Sequence, residues 1–188
     1  MTDARAAVLR AVAARIAALT RPALVAVDGV TAAGKTMFAD DLAVLVTPPV
    51  VRVSVDDFHR PEAERRAHGE GPESYYHDAF DLPAVRAALS RVDAAAVAIV
   101  DGVFLLRPEL TGIWSLTIFL ATDRQVALDR AIARDAARMG GVDATRARYA
   151  SRYFPGETLY LDEVDPQGRA GLVVDTTDPQ RPRLVPGT

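Results

Sequence analysis

The chain contains one lysine: 21 of its 22 basic residues are arginine, so Lys35 is the single place where a compact ammonium is kept in preference to a guanidinium. It lies in Gly29-Val30-Thr31-Ala32-Ala33-Gly34-Lys35-Thr36, which matches G-x-x-x-x-G-K-[ST]. At that spacing the glycines let the backbone approach a ligand closely. The loop N–H groups and the start of a following helix face nucleotide phosphates, the lysine neutralises β and γ oxygens, and the Thr36 hydroxyl ligates Mg²⁺. A glycine turn with an accidental lysine is the bland alternative. From this chain's own residue frequencies, a chance match at any start position is on the order of one in a few thousand.

A phosphate cradle does not choose a reaction; the carboxylates near it do. Open α/β sheets bind ligands at the carboxyl ends of their strands, and two acidic sites fall there. Asp56-Asp57 follows an alternating strand at 50–55, and Asp101 follows a buried strand at 94–100. Phosphoryl transfer to an alcohol needs one carboxylate to orient the hydroxyl and accept its proton, and another acid to hold Mg²⁺ directly or through water. At each position a helix cap or turn acid is the alternative. His59, His68 and His77 fall in one region with the pair Tyr75-Tyr76. These rings could stack on a planar base, or be surface residues and core aromatics. Arg130, Arg134 and Arg138 recur every four residues on one face of a helix that ends at Gly140-Gly141, either as a functional row or as a solvated face paired with Asp135.

The elements that must position these groups alternate strand and helix, which predicts a mostly parallel sheet covered on both faces. A surface helix at 3–20 uses Val8, Val12, Ile16 and Leu19. Strands are expected at 23–28, 50–55, 94–100, 115–120 and 172–175. Helices are expected at 35–46, at 81–91 with Asp81 as cap, and from Thr122 or Asp123 to Arg138, with further turns between Ala144 and Val164. The stretch from His59 to Ser74, with Gly69, Gly71 and Pro72, reads as a long loop, and the proline-containing tail from Thr176 to Thr188 as irregular.

Composition bounds the class. With 188 residues, 49% hydrophobic and 25% charged, the chain reads as one globular domain, residues 1–188, and not as a disordered segment. The absence of cysteine excludes a disulfide scaffold and a thiolate zinc site. A net charge of −3 argues against a nucleic-acid partner bound by phosphate neutralisation. No segment approaches the roughly 20 apolar residues of a membrane span, and Arg5, Arg10 and Arg15 interrupt any secretion-signal core, so no membrane association and a cytoplasmic location are expected.

Over residues 23–175 the chain resembles the uridine kinase family and its relatives, the nicotinamide riboside kinases and phosphoribulokinases. The resemblance is carried by DGVTAAGKT (28–36), VSVDDFHRP (53–61), YYHDAFD (75–81), IVDGVFLL (99–106) and AIARD (131–135). It implies a P-loop NTPase three-layer sandwich, with a mostly parallel five-stranded sheet and a helical lid at about 134–152. It also implies an ATP- and Mg²⁺-dependent kinase for a primary hydroxyl, foremost the 5′-hydroxyl of a nucleoside. Nicotinamide riboside, pantothenate and sugar phosphates are alternative acceptors; a nucleotide-binding switch or regulatory ATPase acting through a partner protein is the alternative of another class.

By this resemblance Asp56 takes the position of the catalytic base, also near the metal, and Asp101 that of a Mg²⁺-associated acid, usually glutamate in the family. Asp57, Phe58, His59, Tyr75, Tyr76 and His77 fall where the family meets its acceptor. Arg134 aligns with a lid arginine that stabilises the transferred phosphoryl group. Two later lid positions are Met139 and Gly141 here, so the clamp is completed from Arg138, Arg146 or Arg148. Uridine kinases are often oligomers, which makes a homo-oligomer a further expectation.

Overall fold

The computed structural model describes residues 2–185. In chain order the elements are α1 (Asp3–Ala17), β1 (Ala23–Gly29), α2 (Lys35–Leu45), β2 (Val50–Ser54), α3 (Glu62–Ala67), α4 (Pro72–Asp78), α5 (Leu82–Leu89), β3 (Val97–Asp101), β4 (Leu116–Ala121), α6 (Arg124–Asp135), α7 (Val142–Arg148), α8 (Phe154–Val164), α9 (Pro166–Arg169), β5 (Leu172–Asp175) and β6 (Arg183–Val185). A 3₁₀ turn at Val55–Phe58 follows β2, and a π-helical turn at Tyr149–Tyr153 joins α7 to α8.

The strands form one sheet in the order β2-β3-β1-β4-β5-β6, parallel except for β6. Because side chains alternate across a strand, β1 and β3 present different residues to the two faces. Val25, Val27, Val97 and Ile99 pack against Val8, Leu9, Val12 and Ile16 of α1 and Phe38 and Leu42 of α2. On the opposite face Ala26 and Ala98 leave room for large rings, and Tyr75, Tyr76, Phe104 and Tyr160 fill it. The result is helix, sheet and helix in three layers. Each fully buried Leu, Ile or Phe contributes about 1.5–3 kcal/mol of apolar transfer, which is what holds the strand ends in register beneath the site. A third, smaller cluster of Ala131, Tyr149 and Phe154 ties α6 to the π turn and α8.

The caps follow the sequence. Asp81 accepts from the Ala84 N–H at 3.0 Å, and Asp123, not Thr122, accepts from Gln125 and Val126 at 2.8 and 3.1 Å. Four expectations need correction. The sheet has six strands, not five: β6 is a three-residue antiparallel edge strand, Leu184 opposite Val174, inside the tail read as irregular. Pro182 precedes the strand without interrupting it; residues 186–188 of that tail lie outside the described residues.

The stretch from 59 to 74 is also not a loop. Glu62 and Arg66 pair one turn apart in α3, Gly69 reverses the chain at φ 93°, and Pro72 opens α4. The glycines and the proline mark the break between two short helices. β3 begins at Val97, because Asp93 closes a turn over residues 93–96. α6 ends at Asp135, and bonded turns continue to the left-handed Gly140 and Gly141.

Candidate active site

The carboxyl ends of β1, β2 and β3 open into a cleft of about 840 Å³. Its floor is the loop Gly29–Thr36. Gly29 lies so close to β4 that an added Cβ would sit 2.7 Å from the Leu120 carbonyl oxygen. Gly34, at φ 90°, instead has nothing within 4 Å of an added Cβ, so its glycine is required by the backbone conformation rather than by a crowded neighbour. Ala32 holds φ 63°, a left-handed conformation uncommon away from glycine and a local strain that the surrounding loop sustains. Lys35 opens α2, and its Nζ donates to the Val30 carbonyl at 2.8 Å, drawn back across the loop.

Two buried acids lie under this loop, and sequence reasoning assigned a role to neither. Asp28 accepts from the Gly29 N–H at 2.7 Å, the Leu106 N–H at 3.1 Å and the Tyr160 hydroxyl. Glu157 of α8 accepts from the Thr31 N–H at 2.6 Å, and the Thr31 hydroxyl meets that of Tyr75 at 3.2 Å. Burial pushes both carboxyl groups above their ordinary range, against hydrogen bonds that pull the other way. Burial likewise lowers the Lys35 ammonium, opposed by the negative charges of Glu157, Asp28, Asp56 and Asp101. Glu157 has no motif around it. It comes from 126 positions along the chain and is seen only once α8 packs on α4.

Thr36 donates to Asp101 at 2.6 Å, and the other oxygen of Asp101 accepts from Arg52 of β2 at 2.7 Å. A hydroxyl and a carboxylate side by side are hard oxygen donors, the set that Mg²⁺ takes when phosphates and waters supply the rest. Among the described residues no three His, Asp or Glu side chains converge as a self-sufficient metal site. Asp56 stands in the 3₁₀ turn after β2, exposed to the cleft, and its carboxylate has no side-chain partner among the described residues. Close packing fixes that turn: a Cβ on Gly102 would fall 2.0 Å from Val55.

The second wall comes from the helices. Tyr75, His59 and Phe80 line the cleft near Asp56, with His59 held by its Nδ1 to the Asp56 carbonyl at 2.8 Å and its ring 4.5 Å from Phe80. Arg130, Arg134 and Arg138 line the other end, so the every-fourth-residue row does face the cleft. It is also an ion-pair face. Arg134 grips Asp135 through Nε at 3.0 Å and Nη2 at 2.8 Å, Arg138 reaches it at 3.2 Å, and the Tyr149 hydroxyl donates to it at 2.9 Å. These partners, Arg134 first, hold the buried Asp135 carboxyl down at about 2. Arg130 bonds the Thr176 and Thr177 carbonyls, both at 2.9 Å.

The same fold appears in solved structures. A candidate fructose transport system kinase from Silicibacter sp. TM1040 aligns with a TM-score of 0.70 at 21% identity, over 82% of this chain and 94% of its own. A candidate uridine kinase from Bacillus stearothermophilus aligns at 0.68 and 18% identity, over 88% and 96%. The chain shares its fold with these two kinases. D-glycerate 3-kinase from Cryptococcus neoformans var. grubii shares it at a TM-score of 0.59 and 11% identity, over 96% and 98%. No family model and no curated protein matches the chain by sequence.

Within this fold, several residues expected at the acceptor lie elsewhere. Successive positions of a helix turn by about 100°, so Tyr75, Tyr76 and His77 cannot share one face. Tyr75 takes the cleft. Tyr76 is buried in the core under the Arg107 guanidinium, 4.9 Å from its ring centre, and His77 is exposed away from the cleft. The same geometry in the 3₁₀ turn sends Asp57 to solvent and packs Phe58 against the core. Nor do Arg146 and Arg148 complete the arginine row: Arg146 pairs with Asp143 at 3.8 Å and Arg148 with Glu70 at 3.5 Å, outside the main cleft.

Proposed function

We propose that this chain is an ATP-dependent kinase that transfers the γ-phosphoryl group to a hydroxyl of a small molecule. One observation carries the reading: the Asp56 carboxylate, free of side-chain partners among the described residues, opens to the same cleft as the Lys35 loop and the Thr36–Asp101 pair. In this reading Asp56 accepts the proton of the attacking hydroxyl as its oxygen bonds the γ-phosphorus and the bond to the β–γ bridging oxygen breaks. Lys35 and the N–H groups of Gly29–Thr36 balance the charge on the phosphate oxygens, so Lys35 leaves the Val30 carbonyl to do so. Thr36 and Asp101 would hold Mg²⁺, which would supply further neutralisation of phosphate charge, and Arg134 and Arg138 face the same space from the lid side.

A nucleoside 5′-hydroxyl remains the acceptor that the sequence resemblance favours, with Tyr75, His59 and Phe80 as the rings left to meet a base. The test is Mg²⁺-dependent ADP release from ATP with uridine, cytidine, nicotinamide riboside, pantothenate and ribulose 5-phosphate in turn, and Lys35→Ala as blank. Acceptor-stimulated release supports the kinase. Slow release indifferent to every acceptor moves the reading to a nucleotide-binding switch.

A further inference from the structure

Next to the Asp56 end of the cleft a second cavity, about 130 Å³, lies between α3, α7 and the π turn. Four arginines, Arg65, Arg66, Arg148 and Arg152, and two acids, Glu62 and Glu70, line it. The acids are already engaged, Glu62 by Arg66 of its own helix and Glu70 by Arg148 at 3.5 Å. Two positive charges are therefore left over. Arg65 spends only its Nε, on the Arg60 carbonyl at 3.0 Å. Arg152 is only 7% exposed and makes no hydrogen bond or ion pair among the described residues; its guanidinium carbon lies 5.7 Å from the centre of the Tyr75 ring, and Glu70 and Arg148 line the same cavity.

The Arg152 guanidinium donors open on the cavity rather than on a protein acceptor, so an anion there would meet a fork that no carboxylate already occupies. Burial first, and then the charge of Arg148, lower its pKa, while Tyr153, Glu70 and Tyr75 oppose the shift. The cavity is also joined to the reaction site. Arg65 lines both spaces, and Tyr75, whose ring lies beneath Arg152, meets Thr31 of the phosphate loop through its hydroxyl. One tyrosine side chain therefore spans the interval between the loop and the unpaired arginine.

We propose that Arg65 and Arg152 form an anion subsite for the acceptor, so that the preferred substrate is a small hydroxylated acid, carrying a carboxylate or a phosphate besides the hydroxyl to be phosphorylated. This deepens the kinase reading and rests on it. Arg152 supplies a planar fork suited to two oxygens of one anion, and Arg65 closes the site from the cleft side.

The test compares acceptors matched except for charge: glycerate with glycerol, and ribulose 5-phosphate with ribulose, using ADP release by the full chain. The acid member should be preferred by at least about tenfold in kcat/KM. Arg152→Gln should raise its KM about 10- to 100-fold with a smaller change in kcat. Arg65→Gln, on a surface helix, gives the same reading where Arg152→Gln fails to fold. Which acid wins separates carboxylate from phosphate. Preference for the neutral members, or an unchanged KM in both variants, overturns the subsite.

If no acceptor stimulates ADP release, the kinase reading fails by itself, and the subsite is judged by binding. With a non-hydrolysable ATP analogue saturating the loop, inorganic phosphate or acetate should raise Tm in the wild type but not in Arg65→Gln. An equal rise in both, or a rise in neither, overturns it.

Discussion

Gly29–Thr36, Asp56 and Asp101 reach the cleft from the ends of three neighbouring hydrogen-bonded strands, whereas Arg65, Tyr75, Arg134 and Tyr153 reach it from four separate helical segments. The first wall inherits its geometry from the sheet. Register sets Ser54 beside Asp101 and Val27 beside Asp101, so the acid pair and the loop are fixed by backbone bonds that a side-chain change does not move. Apart from the backbone bonds of Arg60 to Ala79 and Asp81 to Phe58, the second wall is held by side chains: the Asp135 cluster, the Tyr75–Thr31 contact and the fit of α4 on α8. Chemistry that must be placed within tenths of an ångström sits on the first wall, and recognition, which tolerates adjustment, on the second.

The largest effects should follow from the sheet-borne wall. Asp56→Asn keeps the turn, the strand and the loop while removing the proton acceptor, so kcat should fall by about 10²–10⁴ with nucleotide-analogue affinity nearly unchanged. Lys35→Ala should lose at least as much turnover and weaken the analogue as well, since its charge serves both states. Turnover near wild type in Asp56→Asn would place the base on the helical wall and erase the division of labour.

Gly156→Ala strikes the other side. A Cβ there would sit 2.8 Å from the Pro72 carbonyl oxygen and 2.8 Å from the Tyr75 ring, so α4 and α8 must move apart. Both Tyr75 and Glu157 shift with them. We expect a loss of about 1–3 kcal/mol in urea unfolding and a raised KM for the acceptor, with a smaller change in KM for ATP. Equal changes in both KM values would mean that the two walls move as one.

The same contrast explains what could be read before the fold was known. The loop is eight consecutive residues with a fixed chemical logic, and Asp56 and Asp101 follow recognisable strands, so their convergence was legible. Tyr76 and His77 were drawn in with Tyr75 by adjacency in the chain, which a helix converts into divergence in space. Glu157 and Arg152 carry no local signal at all. Each becomes meaningful only through a partner far along the chain, Thr31 for one and Tyr75 for the other. The sixth strand was hidden for a related reason: three residues between prolines show no periodicity, and only pairing with β5 makes them a strand.

A smaller effect should come from the lid end. Asp135→Asn leaves Arg134, Arg138 and the Tyr149 hydroxyl without their shared carboxylate, at a cost of about 1–2 kcal/mol, since Arg134 itself is more than half exposed. The group's pKa is depressed from 3.8 to about 2 in the folded state, so its contribution is present above the unfolded value and is lost as pH falls through about 2. The wild type should therefore lose stability between pH 4 and 2 that Asp135→Asn no longer has to lose. Parallel acid limbs for the two proteins would show that the cluster does not hold α6 to the π turn.

Glu157→Gln should be the mildest change and the most informative about the seam between the walls. The folded state raises this carboxyl, so it binds the proton more tightly than the unfolded chain does. Stability is therefore lost as pH rises from the unfolded value of 4.5 toward the folded one. A glutamine oxygen can still accept the Thr31 N–H, so the variant keeps the bond and removes the titration. Urea unfolding from pH 4.5 to 7 should show a shallower decline in Glu157→Gln, with the two proteins within about 1 kcal/mol of each other at the acid end. Without the nearby negative charge, Lys35 loses the largest influence raising its pKa, so turnover in the variant should begin to fall at a lower pH on the alkaline side. An alkaline limb unmoved by the substitution would mean that Glu157 supports the loop only through its hydrogen bond and that the helical wall does not tune the charge of the strand-end wall.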